Sequence, residues 1–492
     1  MQAMALVRLN HPTNNQDLPS FVHPVLADVA DDLETVLDCW SGLKGAKEKY
    51  LPKEIREPKR AYEARLMRTC FNSFFRDAIN AFAGVLSRYQ LVDAPPSMMA
   101  AANNIDGQGN SLRSFLARAD AWTLRDGGCL LMADMPPAPG DDATLADTRE
   151  RRPHLSMIDR RNLLNWLPAD NGMPGLARAL TVMEMHEVPK GLYGVEFVPR
   201  YRTMLGGRWA VFELVGQGTN WRAELVKRPD GSPMRGVFRN AAGEEMSHPP
   251  VRWYPSNGDP FGMGDLPLLP LALYALDHFR EYSDLKELLH RTALPVAVRT
   301  GINAGPDGKH PPMVLGPNSV LDLPAGATFD WKEVQGGALS QHREHLIHIE
   351  NLIDRKTLAF LFSGAQKTAT QANLESVQMQ ATLQSIGEAK TSVVQSMMEL
   401  WAQFSGDTLA ATAGIELDEG IFDEPITAEK LAIAERLYNN DLLSRSTMLY
   451  LEKKVGFLPP GRTVEQEMEA ISTEDPEPPP APPVGVNDLE DE

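Results

Sequence analysis

Basic residues are the conspicuous shortage in this 492-residue chain. Lys and Arg number 48 against 66 Asp and Glu, a formal net charge of -18. Proteins that grip nucleic acid by neutralising phosphates carry basic patches, so the balance argues against a tight phosphate binder. Part of the excess is local: Glu474, Asp475, Glu477, Asp488, Glu490, Asp491 and Glu492 lie in a terminal segment without Lys or Arg. Cysteine is scarce and scattered, at Cys39, Cys70 and Cys129. That excludes a disulfide framework, and all three read as reduced core residues. Long apolar runs are missing. The most apolar stretch, 266–276, is too short to span a bilayer and contains Pro267 and Pro270, so no membrane partner is expected. Residues 1–13 show no apolar run before a cleavage site and read as no secretory leader.

Catalytic signatures are missing too. No G-x-x-x-x-G-K-[ST] occurs; Gly305 to His310 has the wrong spacing and ending. No H-E-x-x-H occurs. His342, His345 and His348 stand at helical spacing near one face, but no Cys or carboxylate pattern completes a metal site. Ser363-Gly364 followed by Lys367 has no identifiable base. The expectation is no catalytic residue, no metal and no cofactor. The eight tryptophans are dispersed and read as core or interface anchors, not a base-stacking platform.

What is present centres on residues 301–404. Leu339, Leu346, Ile353 and Phe360 recur every seven residues, with Ile349, Leu352 and Leu361 widening the stripe. Such spacing predicts an amphipathic helix, about 35 Å long at 1.5 Å per residue. A polar loop, 363–371, follows. A second helix begins near Thr370, with Leu374, Val377, Ala381, Ile386, Val393, Met397, Leu400 and Phe404 on one face. Gly387 interrupts its middle, where glycine costs roughly 1 kcal/mol against Ala; it reads either as tolerated or as a bend. Upstream, 268–292 has helical spacing, and 295–301, 313–324 and 327–334 are short β-type runs between Gly and Pro.

Earlier in the chain, residues 1–20 read as a loose arm. Val25 to Trp40 predicts a helix ended by Gly42 and Gly45. A single long helix is expected from Pro58 through Leu86, and another over 111–125, capped by Gly127-Gly128 and followed by a buried strand at 129–133. The Pro-, Ala- and Asp-bearing 136–147 reads as a loop. From 154 to 254 the pattern turns to β, with a hairpin around Gly206-Gly207 and strands at 221–227 and 235–239. After Phe404 helices are expected again, clearest at 431–438, 448–454 and 464–471. From Glu474 on, the Pro-rich acidic composition reads as disorder.

Several stretches resemble the portal-like family of tailed double-stranded DNA phages, long catalogued as a domain of unknown function. They are Tyr282-Ser-Asp284, Leu294-Pro295, Leu315-Gly-Pro317, Leu323-Pro-Ala-Gly326, Ser363-Gly364, Lys367-Thr-Ala-Thr370 and Ser385-Ile386. Tyr50-Leu-Pro52, Tyr62-Glu-Ala-Arg65, Gly127 with Leu130-Leu131, and Gly456-Phe-Leu-Pro459 extend the resemblance over most of 50–470. Order and spacing carry it more than any one motif.

The resemblance implies an α+β, mainly α, portal-type fold. It implies a flexible arm (1–20), a wing (21–255), stem helix 1 (256–292), an α/β clip (293–337), stem helix 2 (338–362), a tunnel loop with bent helix (363–404), a helical crown (405–471) and an acidic tail (472–492). The implied role is a head-to-tail connector: a homo-oligomeric ring, typically of twelve, at one capsid vertex. Double-stranded DNA would enter and leave through it without sequence specificity. Gln366, Lys367, Thr368 and Thr370 become candidates for the DNA channel, Arg299, Lys309 and His310 for docking at the clip, and Gly387 for the helix bend. Implied partners are the terminase large subunit, the head–tail adaptor, and the major capsid and scaffold proteins. The implied location is the virion, after assembly in the host cytoplasm. The alternatives are another virion structural protein, such as an adaptor or minor head protein, or a phage enzyme with an unrecognised site.

Overall fold

The computed structural model describes residues 15–136, 151–169, 175–217, 220–292, 296–301, 323, 326–332, 337–357, 369–417, 428–459 and 462–473. The fold is α+β, and the chain divides into two compact units, residues 1–421 and 422–492.

The first unit opens with α1 (Pro24–Asp28), α2 (Ala30–Trp40) and α3 (Lys47–Tyr50). Gly42 and Gly45 follow α2 at φ +73° and +79°, left-handed conformations that glycine adopts without strain. The single helix expected over 58–86 is two helices, α4 (Lys59–Arg68) and α5 (Phe74–Leu86). Residues 69–73 between them are non-helical. This corrects the reading of Cys70, which sits in that break and is exposed; Cys39 and Cys129 are buried as expected. At the break the Thr69 hydroxyl donates to the Arg65 carbonyl at 2.8 Å and lies 3.2 Å from the Ser283 hydroxyl.

Next come β1 (Tyr89–Val92), α6 (Pro96–Ala101) and α7 (Leu112–Asp126). Ser111 caps α7 by accepting from the Ser114 amide, and Gly127 closes it at φ +77°, the expected cap chemistry. A buried three-stranded sheet has the order β10 (Val251–Pro255), β2 (Gly128–Asp134), β3 (His154–Asp159). A larger antiparallel sheet runs β4 (Leu163–Pro168), β5 (Ala177–Lys190), β6 (Gly194–Leu205), β7 (Arg208–Gln217), β8 (Asn220–Leu225), with β9 (Arg235–Val237) also on β7. Leu205 pairs with Arg208 across the Gly206-Gly207 turn, as the two-glycine signal predicts. Leu33, Leu130, Trp166, Val182, Met204 and Trp253 share one buried cluster, so helices and both sheets close over a common core.

The remainder of the unit is α8 (Leu269–Thr292), β11 (Val296–Thr300), β12 (Thr328–Lys332), α9 (Gly337–Arg355), α10 (Ala369–Ser405) and β13 (Gly414–Leu417). β13 pairs antiparallel with β1. Residues just after Phe404 therefore return to a sheet of the first unit, where only helix was expected. Neither strand reads as one alone, because four residues carry too little period-2 signal. The second unit holds α11 (Ala428–Asn439), α12 (Arg445–Val455) and α13 (Val464–Thr473). Ser444 caps α12 at its start and Gly456, at φ +91°, at its end. No helix among the described residues is long and apolar enough to cross a membrane.

Candidate functional site

The stretch α8–β11–β12–α9–α10 is built from two helices flanking a two-stranded unit, then a 37-residue helix. α8 and α9 run antiparallel, since partners descend along one as they ascend along the other. His278 Nε2 lies 3.1 Å from Glu350, and Glu281 lies 3.2 Å from His342 and 3.8 Å from His345. Leu346, Ile349 and Ile353 of α9 are buried, so the seven-residue stripe is the packing face. Burial, with Glu281 alongside, raises the Asp284 carboxyl above its usual range. α8 is fixed to the N-terminal helices as well. Arg280 donates to the Tyr50 carbonyl at 3.2 Å, and Arg68 pairs with Glu287.

Between the helices, β11 and β12 pair from Val296↔Lys332 to Thr300↔Thr328. The Thr300 and Thr328 hydroxyls sit 2.7 Å apart. Gly301, at φ +76°, ends the strand; a Cβ there would stand 2.8 Å from the Gly326 carbonyl oxygen.

α10 is anchored along its second half. Lys390 is fully buried and donates to Asp120 of α7 and to the Leu86 carbonyl, both at 2.7 Å. Tyr254 of β10 donates to the same carboxylate at 2.8 Å, and the Lys390 ammonium lies over the Tyr89 ring. Burial raises the Asp120 carboxyl and lowers the Lys390 ammonium, each partly offset by the other's charge. Burial also pushes the Tyr89 hydroxyl to about 12. Further along, Arg252 donates to Ser396 at 2.6 Å, and burial lowers its guanidinium to about 10. Trp401 donates to Ser97 at 2.8 Å, and Ser97 bonds Asp407. The sequence reading missed this anchor. Its only signal was a lysine on the apolar stripe side of a helix, and its partners lie about 270 and 136 positions away in sequence (roughly, from Asp120 and Tyr254).

The predicted site residues fare as follows. Thr370 stands in the first turn of α10 and Arg299 in β11. Gly387 is buried within α10, which is helical on both sides of it, and its carbonyl accepts from the Thr391 hydroxyl at 3.0 Å. Gln366, Lys367, Thr368, Lys309 and His310 lie outside the described residues, as does the 313–322 part of the expected β run. The three α9 histidines do not converge on a metal-type cage: His342 and His345 face Glu281, and the His345 and His348 rings stack at 6.4 Å. Among the described residues no group of three or more His, Cys, Asp or Glu is arranged to hold a metal.

A helix–strand-pair–helix–long-helix module on an α+β body is thus the class of arrangement present. Residues 267–405, which span that module, match the family described as a domain of unknown function, DUF4055. No curated protein matches. Among solved structures, the chain is similar to one from the virion of a native gene transfer agent particle, at 16% identity and a TM-score of 0.39, covering 86% of this chain and 99% of that one. It is also similar to a chain from the neck of an empty gene transfer agent particle computed with C6 symmetry (15% identity, 85% and 99% covered, TM-score 0.38). A third is from the neck of the native particle computed with C12 symmetry (15%, 83% and 96%, TM-score 0.35).

Proposed function

We propose that the chain is a portal-type virion protein: a ring subunit whose bore passes double-stranded DNA. The supporting observation is the ordered module of α8, the β11–β12 pair, α9 and the 37-residue α10, lying where the resemblance puts stem, clip, stem and tunnel helix. A ring subunit needs helices that pack inward on one face and on a neighbour with another. Leu273 of α8 and Ile347 of α9 fit that need, exposed at 48% and 54% while the opposite faces are buried.

In this reading β11 and β12 form the base of a clip that docks the terminase large subunit and later the head–tail adaptor, with Arg299, Lys309 and His310 toward those partners. The segment before α10, with Gln366, Lys367 and Thr368, faces DNA together with Thr370 in the first turn of α10. Gly387 is where α10 bends. The role is geometric, not catalytic. One Lys367 per subunit on an acidic chain attracts the phosphate backbone enough to centre DNA and too weakly to hold it.

Electron microscopy of the purified full chain, with native mass, tests the reading. Rings of about twelve subunits with a central hole are expected, as the resemblance implies. A monomer that hydrolyses DNA or peptide would overturn it.

A further inference from the structure

The buried stripe of α10 recurs every seven residues as Leu383, Lys390, Met397 and Phe404, and one of its members is a lysine. Ile386, Val393 and Leu400 flank it at the same spacing, and Val394, Met398 and Trp401 complete the buried side. Apart from Lys390, every buried side chain between 383 and 404 is apolar. Apolar burial is non-directional, and similar hydrophobic volumes replace one another at small cost. If α10 slid by one turn, ~5.4 Å, Ile386 or Val394 would take the place of residue 390. The apolar stripe alone therefore gives the helix little reason to prefer one axial position.

Lys390 does give one. Its ammonium donates to Asp120 of α7 and to the carbonyl of Leu86, the last residue of α5, both at 2.7 Å. The Tyr89 ring of β1 lies 4.6 Å from it, and Tyr254 of β10 donates to the other Asp120 oxygen at 2.8 Å. Lys390, Asp120 and Tyr254 are all fully buried. A slide of one turn would leave an ammonium, a carboxylate and a helix-end carbonyl inside the protein without partners, the costliest kind of mismatch. The other polar bonds across α10, Arg252 to Ser396 and Trp401 to Ser97, are only part-buried, so solvent can replace them. The non-regular residues 406–413 that lead on to β13 are long enough to take up one turn.

We infer that Lys390 is a positioning residue: its pair with Asp120 selects the axial register of α10 from those the apolar stripe would accept. A single polar residue on an apolar helix seam sets register in this way in coiled coils, at a cost in stability. Stability and register are therefore separable. Apolar replacement of both partners keeps the first and gives up the second. In the portal reading, the register of α10 sets where its Thr370 end stands against DNA; that use rests on the reading, and the pin does not.

Spin-label distances in the full chain test the pin. The chain carries Cys70→Ser, which leaves the buried Cys39 and Cys129. One label goes on Gln395→Cys, exposed on α10, and the second on Asn80→Cys of α5 or Met99→Cys of α6, both exposed. With two reference points, an axial slide changes at least one distance. Excess unlabelled chain keeps the measured distances within one copy. The parent is expected to give one distance per label pair. Asp120→Leu with Lys390→Met is expected to split at least one of them into two populations up to about 5 Å apart, while its urea midpoint stays near the parent's. Asp120→Asn with Lys390→Gln keeps a hydrogen-bonded pair without charge and is expected to restore the single distance. Single, unshifted distances in the apolar double variant would overturn the pin. If that variant does not fold, Lys390→Met alone, which keeps Tyr254 on Asp120, is read by the same criterion. Unshifted distances beside rings of the parent by microscopy would leave the portal reading standing; split distances without rings would do the reverse.

Discussion

At the scale of single residues, two buried charge clusters set how the first unit responds to its environment. Asp159 receives Arg125 at 2.8 Å and pairs with Arg161. Burial works to raise its carboxyl, but the two guanidinium groups outweigh it and hold the group well below the usual range. The unfolded carboxyl titrates near ~3.9. Above that value both states are ionised and the stabilisation is complete; it is lost as pH falls through the lower, folded value. Asp159→Asn is therefore expected to lower the unfolding free energy in a urea titration at pH 7 by about 1.5–3 kcal/mol, the range for hydrogen bonds to a charged group, since Arg125 and Arg161 keep Asp126 beside them. Its deficit against the parent should shrink in acid below about pH 4. A deficit that stayed constant down to pH 2 would show the loss is one of packing. At Asp120 and Lys390 the rule differs, because the pair is enclosed. Asp120→Ala leaves a buried ammonium uncompensated and is expected to destabilise by about 3–5 kcal/mol. Asp120→Leu combined with Lys390→Met should recover most of that in the same urea titration, since both charges then leave the interior.

At the scale of elements, the backbone at the end of α7 is the least forgiving place. Gly127 takes φ +77°, and a Cβ there would stand 2.5 Å from the Asp265 carbonyl oxygen and 2.8 Å from Arg160 Nη1. Arg160 is itself buried and donates to the Asp126 and Gly264 carbonyls at 2.8 and 2.7 Å. The α7–β2 corner is thus stitched to the chain leading into α8. Gly127→Ala combines a left-handed backbone penalty of about 1–2 kcal/mol with a backbone clash. It is expected to reduce soluble yield and lower the thermal midpoint by several degrees, whereas Gly243→Ala, at φ +83° with open space around it, should shift it less. Equal shifts would mean the close approach of the Asp265 segment contributes nothing.

At the scale of the whole molecule, the portal reading separates assembly from DNA handling. Lys367 is the only base between residues 358 and 371, so Lys367→Glu is expected to leave rings intact by microscopy while altering packaging or retention of DNA. A variant that no longer assembles would sink that placement of Lys367.

Much of this was legible in the chain. The Leu346, Ile349 and Ile353 part of the α9 stripe, the α7 caps and the Gly206-Gly207 turn are local signals, set by side-chain periodicity and by backbone freedom within a few residues, and the structure has each where the sequence puts it; Phe360 and Leu361 of the stripe lie outside the described residues. The break between α4 and α5, the β1–β13 pair and the Lys390–Asp120–Tyr254 anchor were not. The last two depend on partners brought close only by folding, β1 beside β13 and a carboxylate 270 positions from its lysine, and the break sets Thr69 beside Ser283, another residue distant in sequence. The sequence alone determined the longer, strongly periodic elements and their caps, because propensity and periodicity act over one or two turns. Tertiary structure alone decided where the short strands β1 and β13 form and which charges are buried together, because both follow from pairing and burial between segments far apart in the chain.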